Sequence, residues 1–483
     1  MKFKTTIISS ALALAAFMPA GADAKSFKRG VAESNFTFIA QMQAIEPGVS
    51  WFYNWGPGLN GNLADQQVLE FIPMCWNGGW NEGRIRDYVK AHPETKYLLG
   101  FNEPNFTNQA NMTPQAAAER WPALRALADE LGLKVVAPAM NYSPNPPYQS
   151  PTAWFDEFVA LVGEDAFDFL AIHSYGGTGV MKDLATTFHN RYHKPVWVTE
   201  FCYWPGESQN TYVAPETQIA QMIDAVQWLE KTDWIYRYAW FMATGNSSAS
   251  SGPNYGLILS GRGEEPRKLS NQGLVYVNMP DFDPEVYNQP NEFIPVQNFI
   301  NSSGVQMTAN ADKSLDFPLE FSVFNAGAYA DYQFELTGES ATALVIRAGG
   351  YGEPTRFNPT LTVCMVNDDE TEGEQIATPL TITNLPNDDE TFIDIAIPIN
   401  LAPGRHRIRL KDNASWSPSG IVISGIKLMT PSSVETISGE SALTADVYTV
   451  EGVCVRKGAD AAAPLEGLPA GLYIVDGKKL LKK

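Results

Sequence analysis

Two apolar runs in this chain each end on a lone carboxylate. In LLGFNEPNF (98–106) Glu103 stands between an apolar stretch and a proline, and in KPVWVTEF (194–201) Glu200 closes the run. Either one alone could be a turn residue, with Asn102 and Pro104 as chain breakers. Two such acids on strands of matching character point instead to chemistry. Glycoside hydrolysis needs one acid to protonate the leaving oxygen and one carboxylate to attack carbon or activate water. A gap of about 5–5.5 Å between them gives retention, and roughly 6.5–9.5 Å gives inversion.

The elements that must position these acids can be read from the pattern between residues 28 and 280. Eight short apolar runs alternate with helical segments: KRGVA, VSWFYNW, LEFIPMCW, KYLLGFNEP, KVVAPAM, FDFLAIHSY, KPVWVTEF and IYRYAWFMA. TPQAAAERWPALRALADELG shows one helix between its signals, with Thr113 as N-cap, Pro114 at the first position and Gly132 as stop. Continuous apolar strands alternating with helices predict a parallel sheet covered on its outer face, and eight of them match a (β/α)8 barrel. A doubly wound dinucleotide fold is disfavoured, because no Gly-x-Gly-x-x-Gly follows the first strand. In a barrel the C-terminal strand ends share one face, so Glu103 on strand four and Glu200 on strand seven can meet at its mouth.

Composition narrows the partners. The 483 residues carry a formal charge of −20, which argues against nucleic acid and anionic membrane surfaces and fits a neutral ligand. Four cysteines (Cys75, Cys202, Cys364, Cys454) form no spaced framework, and five histidines include no His-x-x-x-His pair, so neither a disulfide scaffold nor a zinc site is expected. Eleven of the twelve tryptophans lie between 51 and 240. Those at strand ends, Trp51, Trp55, Trp76, Trp80, Trp204 and Trp240, suggest stacking surfaces for sugar rings, while about half of the set is core. Tyr53, Asn54, Trp55, Trp76 and Asn77 are further cleft candidates. His173 and Tyr175 alternate on strand six and share a face. Lys2, Lys4, a short apolar stretch and Ala22-Asp23-Ala24 predict a secretory leader over 1–24 with no cysteine for lipid attachment. No other stretch is long enough to span a membrane.

The motifs WFYNWGPG, EFIPMCW, LLGFNEPN, VVAPAM, FLAIHSYG and VWVTEF together resemble glycoside hydrolase family 128, within clan A. That family consists of (β/α)8 enzymes acting on β-1,3-glucan. The resemblance implies Glu103 as acid/base and Glu200 as nucleophile of a retaining mechanism that needs no cofactor. It also implies a Tyr175 hydroxyl bonded to the nucleophile, Asn102 on the 2-hydroxyl of the −1 sugar and Trp240 as the floor beneath that sugar. Glu103 must then hold its proton near neutral pH until cleavage and act as base afterwards. The expected activity is an endo-acting β-1,3-glucanase working as a monomer. A β-1,4- or β-1,6-glycan hydrolase and a non-catalytic glycan-capture protein stay open.

After a polar linker at 281–292, strand patterns dominate residues 293–430 and predict a β-sandwich. IPVQNFINSSGVQM, NAGAYADYQFEL and GRHRIRLKDNASWSPSGIVISGIKL resemble carbohydrate-binding modules of family 6. The departures are Gln297, where an acidic calcium ligand is common, and the stacking position, for which Trp416 and Phe392 are the candidates. Residues 431–483, through VYTVEGVCV and GLPAGLYIVDGKKLLKK, resemble the C-terminal sorting domains of exported Bacteroidetes proteins. The expected location is secreted, surface or periplasmic.

Overall fold

The computed structural model describes residues 25–483, apart from 35, 60, 66, 206–210, 248–251, 260–266, 351–358, 384, 387, 389–390, 414–420, 432–443, 450–453, 461–463, 476–477 and 483. The leader expected at 1–24 and Trp416 therefore lie outside the described residues.

Eight parallel strands build the first unit: β1 (Arg29–Ala32), β2 (Trp51–Tyr53), β3 (Glu70–Phe71), β4 (Tyr97–Leu99), β5 (Lys134–Met140), β6 (Phe169–Ser174), β7 (Val196–Phe201) and β8 (Ile235–Phe241). All eight apolar runs become strands. Their order, β3-β2-β1-β8-β7-β6-β5-β4, leaves β3 and β4 at the ends. Those ends meet just beyond β3, where Leu99 N–H donates to Pro73 O and Cys75 N–H to Leu99 O, both at 2.9 Å. The sheet is a closed (β/α)8 barrel.

The connecting helices are α1 (Ile39–Ile45), α2 (Asn62–Asp65), α3 (Glu82–Ala91), α4 (Pro114–Leu131), α5 (Pro151–Val162), α6 (Thr178–Tyr192), α7 (Pro215–Lys231) and α8 (Asn271–Asn278). Helix α4 starts and stops where its residues dictate. The Thr113 side chain accepts from Ala116 N–H, and Gly132 takes the left-handed conformation at φ 69°. Gly100, just past β4, answers a close approach: a Cβ there would stand 2.8 Å from Val136 O and 3.0 Å from the Trp121 ring.

The barrel interior is packed rather than hollow. Trp51, Tyr97, Phe169 and Trp197 fill its lower part, and the Trp51 and Trp197 rings meet edge to face at 5.2 Å. The Arg237 guanidinium lies against the Tyr97 ring and its neighbours and pairs with Glu70 at 2.6 Å. This plug holds the inner ends of the strands at fixed spacing and so fixes what their outer ends carry.

A second buried cation locks the seam between β1 and the end of the barrel. Arg29 donates to the Tyr238 hydroxyl at 2.9 Å, to Glu230 at 3.2 Å and to the carbonyls of Tyr276, Met279 and Pro280 at 2.7–2.8 Å. Beyond it the chain enters a β-rich region in which, among the described residues, ten strands between Ile294 and Met429 share one antiparallel hydrogen-bonded network. This region docks on the helical side of the barrel. The Gln227 amide on α7 accepts from Ser302 N–H at 2.7 Å and reaches Ser302 O at 3.4 Å. A four-stranded sheet within 444–482 follows.

Cys75, Cys202 and Cys364 are buried free thiols. No helix among the described residues is long and apolar enough to cross a membrane. Phe392 is packed at 7 % exposure, so it offers no ring for stacking sugars, contrary to the expectation from sequence. It abuts Gly349, whose Cβ would meet the Phe392 ring at 3.2 Å.

Replacing Arg29 by Met should lower barrel stability by about 3–5 kcal/mol, because Glu230 and three carbonyls lose their buried partner. Arg29→Lys should recover only part, since one ammonium cannot reach all five acceptors. Denaturant unfolding followed by tryptophan fluorescence reads this directly, as eleven of the twelve indoles lie in the barrel.

Candidate active site

Glu103 and Glu200 reach the barrel mouth by different routes. Glu200 is the fifth residue of β7, in register with His173 of β6. Glu103 lies four residues past β4, where its N–H donates to Ala139 O at 3.0 Å and its backbone sits at φ 41°. Trp55, across the mouth, is held at φ 58°. Left-handed backbone in non-glycine residues costs roughly 1–3 kcal/mol each and persists where the surroundings demand it. In both cases it turns a side chain inward over the cleft. The two glutamates are 6 % and 4 % exposed.

Among the described residues, the hydrogen bonds to the Glu200 carboxylate come from neutral donors. Tyr53 hydroxyl and Trp55 Nε1 each donate to Glu200 Oε1 at 2.8 Å, and the Tyr175 hydroxyl donates to Oε2. Burial first, then the charge of Glu200, pushes both phenols well above their ordinary range. They therefore stay protonated and keep donating at any working pH. On the other acid, Asn141 Nδ2 donates to Glu103 Oε1 at 3.0 Å. Asn141 is itself held by its neighbours: Asn105 Nδ2 donates to its carbonyl at 2.8 Å.

His173 ties the two halves together. Its Nδ1 lies 3.0 Å from Glu103 Oε1 and 3.5 Å from Glu200 Oε2, and the ring is wholly buried. Burial pulls its pKa down, but the charge of Glu200 and the bond and charge of Glu103 outweigh that and raise it. Donor atoms of Glu103, His173 and Glu200 all lie within 4.8 Å of one another. A transition metal would accept such a donor set. Here each group already has a hydrogen-bond partner within the protein.

The cleft above the acids has a volume of about 600 Å³. Trp55, Trp76, Tyr175 and Trp204 line it as the sequence predicts, along with Asn102, whose Oδ1 has no partner among the described residues. Tyr53 and His173 do not wall the cleft; they lie beneath it and act on the carboxylates. Asn54 and Asn77 form turns, each accepting from a backbone N–H two residues on. Trp240 faces the helices, packed on Phe201 and donating to Tyr255 O, and the neighbouring Phe241 lines the cleft in its place. Sequence reasoning passed over Phe106, Asn108, Gln109, Asn141 and Phe241. Only Asn141, directly after the fifth apolar run, carried a positional signal.

The glycosyl hydrolase catalytic core family matches this chain over residues 30–272, half its length. A solved family 128 (subgroup II) endo-β-1,3-glucanase from Pseudomonas viridiflava is 36% identical, covering 53% of this chain and 98% of that one at a TM-score of 0.46. A subgroup I endo-β-1,3-glucanase from Amycolatopsis mediterranei, solved with laminaritriose, is 26% identical over 52% of this chain and 99% of that one, at a TM-score of 0.40. Alkali-sensitive linkage protein 1 of Schizosaccharomyces pombe is 25% identical over 250 residues, 48% of this chain, and the chain spans only 41% of that relative's length. With two opposed glutamates at the mouth of a (β/α)8 barrel, this chain belongs to the glycosyl hydrolase catalytic core family and is a glycoside hydrolase.

Proposed function

We propose that the enzyme hydrolyses β-1,3-glucan within the chain, by double displacement with retention. The observation that carries this reading is the closeness of the acids: one oxygen of Glu103 and one of Glu200 lie within 4.8 Å. Retaining sites hold their carboxyl groups about 5–5.5 Å apart, whereas inverting sites leave room for a water between them. The β-1,3 linkage rests on the motif set FNEPN, VWVTEF and FLAIHSYG described above.

Glu103 protonates the glycosidic oxygen while Glu200 attacks the anomeric carbon, giving a glycosyl ester. Tyr53, Trp55 and Tyr175 hold both oxygens of Glu200, so its attack needs little reorganisation. Glu103, now a carboxylate, takes a proton from water as the water displaces Glu200. His173 and Asn141 donate into that carboxylate as its charge appears. The free Oδ1 of Asn102 accepts from a sugar hydroxyl. Trp55, Trp76, Trp204 and Phe241 give the ring faces their apolar walls.

Around the barrel, we read residues 1–24 as a secretory leader, 293–430 as a sandwich of the carbohydrate-binding type and 431–483 as a sorting-type tail. The leader reading rests on Lys2, Lys4 and Ala22-Asp23-Ala24. With Phe392 buried, glycan binding by the second unit falls to Trp416.

Product analysis on laminarin tests the activity. Wild type should release short β-1,3-oligosaccharides, and Glu103→Gln and Glu200→Gln should each lose roughly 10³-fold or more in kcat. Turnover surviving in either variant would overturn the assignment of that residue. A folded wild type that binds laminarin without releasing product would establish a capture protein instead.

His173 gives a pH signature. A histidine with a raised folded pKa stabilises the fold below its unfolded value near 6.5, and that contribution fades as pH rises through the folded value. Thermal melts should therefore show a larger gap between wild type and His173→Gln at about pH 5.5 than at about pH 8.5. An equal gap at both would place no proton on His173.

A further inference from the structure

A third carboxylate is buried at the mouth of the barrel, outside the pair that the displacement uses. Glu33 directly follows β1 and is 1% exposed. Its backbone N–H donates to Tyr53 O at 2.9 Å, which fastens it to the end of the strand that leads into Trp55. Its side chain reaches the other way. Thr244, three residues past β8, donates to Glu33 Oε2 twice, from its backbone N–H at 2.6 Å and from its hydroxyl at 2.7 Å. Bonds this short are typical of an ionised acceptor. A carboxylate withdrawn from water is tolerated only where such donors meet it.

Thr244 belongs to the loop that supports one side of the cleft. Leu257 N–H donates to Ala243 O at 2.9 Å and Tyr255 N–H to Asn246 O at 2.7 Å, which draws the two ends of this loop together. The Tyr255 ring is thereby set against two residues of the cleft wall. It stacks on Trp204 at 5.6 Å and lies 6.0 Å from Phe241. Phe241 in turn meets Trp55 edge to face at 5.9 Å. Glu33 thus bridges the two segments, its backbone on the Trp55 side and its carboxylate on the Phe241 side.

We infer that Glu33 is a positioning residue: by clamping Thr244 it fixes the aromatic wall of Phe241 and Trp204 and so sets how tightly the enzyme holds its substrate. The inference rests on the glucanase reading for the identity of that substrate, but not for the clamp itself. Aromatic rings offer apolar faces to the apolar faces of sugars, and such stacking needs the rings held in place before the sugar arrives. Tyr53, Trp55 and Tyr175 bond Glu200 directly, so cutting the clamp leaves those donors on the carboxylate and loosens the wall. The loss then falls equally on bound substrate and transition state, which raises KM and spares kcat.

Hydrogen exchange and steady-state kinetics on laminarihexaose test this together. Glu33→Ala should raise KM about tenfold with kcat within about threefold of wild type. Glu33→Gln, which keeps an acceptor oxygen for Thr244, should recover most of that loss. Thr244→Val, which removes the hydroxyl donor alone, should fall between them. Exchange read by mass spectrometry should be faster in Glu33→Ala than in wild type over the amides of 243–247 and 254–257, and unchanged over α4. Unchanged exchange over the loop would overturn the clamp. Faster exchange with KM unmoved, or with kcat falling as far as kcat/KM, would overturn its role in holding substrate. Should Glu33→Ala not fold, Thr244→Val makes the same comparison, and wild-type KM and exchange in it would overturn the proposal. A wild type that leaves laminarihexaose intact would remove the glucanase reading, while the exchange result still decides the clamp.

Discussion

Two carboxylates buried within 4.8 Å of each other set the terms for everything around them. At an effective dielectric of about 20, two full charges at that range repel by roughly 3–4 kcal/mol, before the loss of hydration is counted. The site answers with donors rather than a surplus of cations. Three reach Glu200, and Asn141 and His173 reach Glu103. Hydrogen bonds to a charged group contribute about 1.5–3 kcal/mol each, enough together to offset the repulsion. His173 touches both acids, and their charges raise its pKa against the pull of burial.

Holding five donors to that tolerance needs a rigid frame, and the barrel supplies it. The donors come from β6 and from the segments at or beyond β2 and β5, elements far apart in sequence that only closure brings together. Closure in turn depends on the short junction after β3 and β4 and on the aromatic plug around Arg237. Arg29 fastens the first strand to the last helix, and the chain leaves that point for the β-rich region. That region grips α7 through Gln227 and Ser302 on the helical surface. Among the described residues, those that line the cleft belong to the barrel.

Much of this was legible in the sequence because it follows from short-range rules. Apolar runs became strands, and Thr113, Pro114 and Gly132 bounded their helix as expected. The pairing of Glu103 with Glu200 followed from strand counting and barrel geometry. What alternation does not encode is depth. Tyr53 and His173 point inward as alternation predicts, yet they sit one layer below the cleft and bond the acids instead of lining it. Trp240 and Phe241 exchange places because a single step along a strand reverses its face. Asn54 and Asn77 took turn roles, the local alternative open to any asparagine. Asn141 and Asn105 work through contacts 36 and 38 residues away in sequence, which no local pattern announces.

The anomeric configuration of the first-formed product tests the account most directly. Proton NMR during the first moments of laminari-oligosaccharide cleavage distinguishes the new reducing end before mutarotation scrambles it. Retention through Glu200 predicts that the β-anomer appears first and the α-anomer grows in later. An initial α-anomer would mean that water attacks directly, contradicting the glycosyl ester and the role given to Glu200.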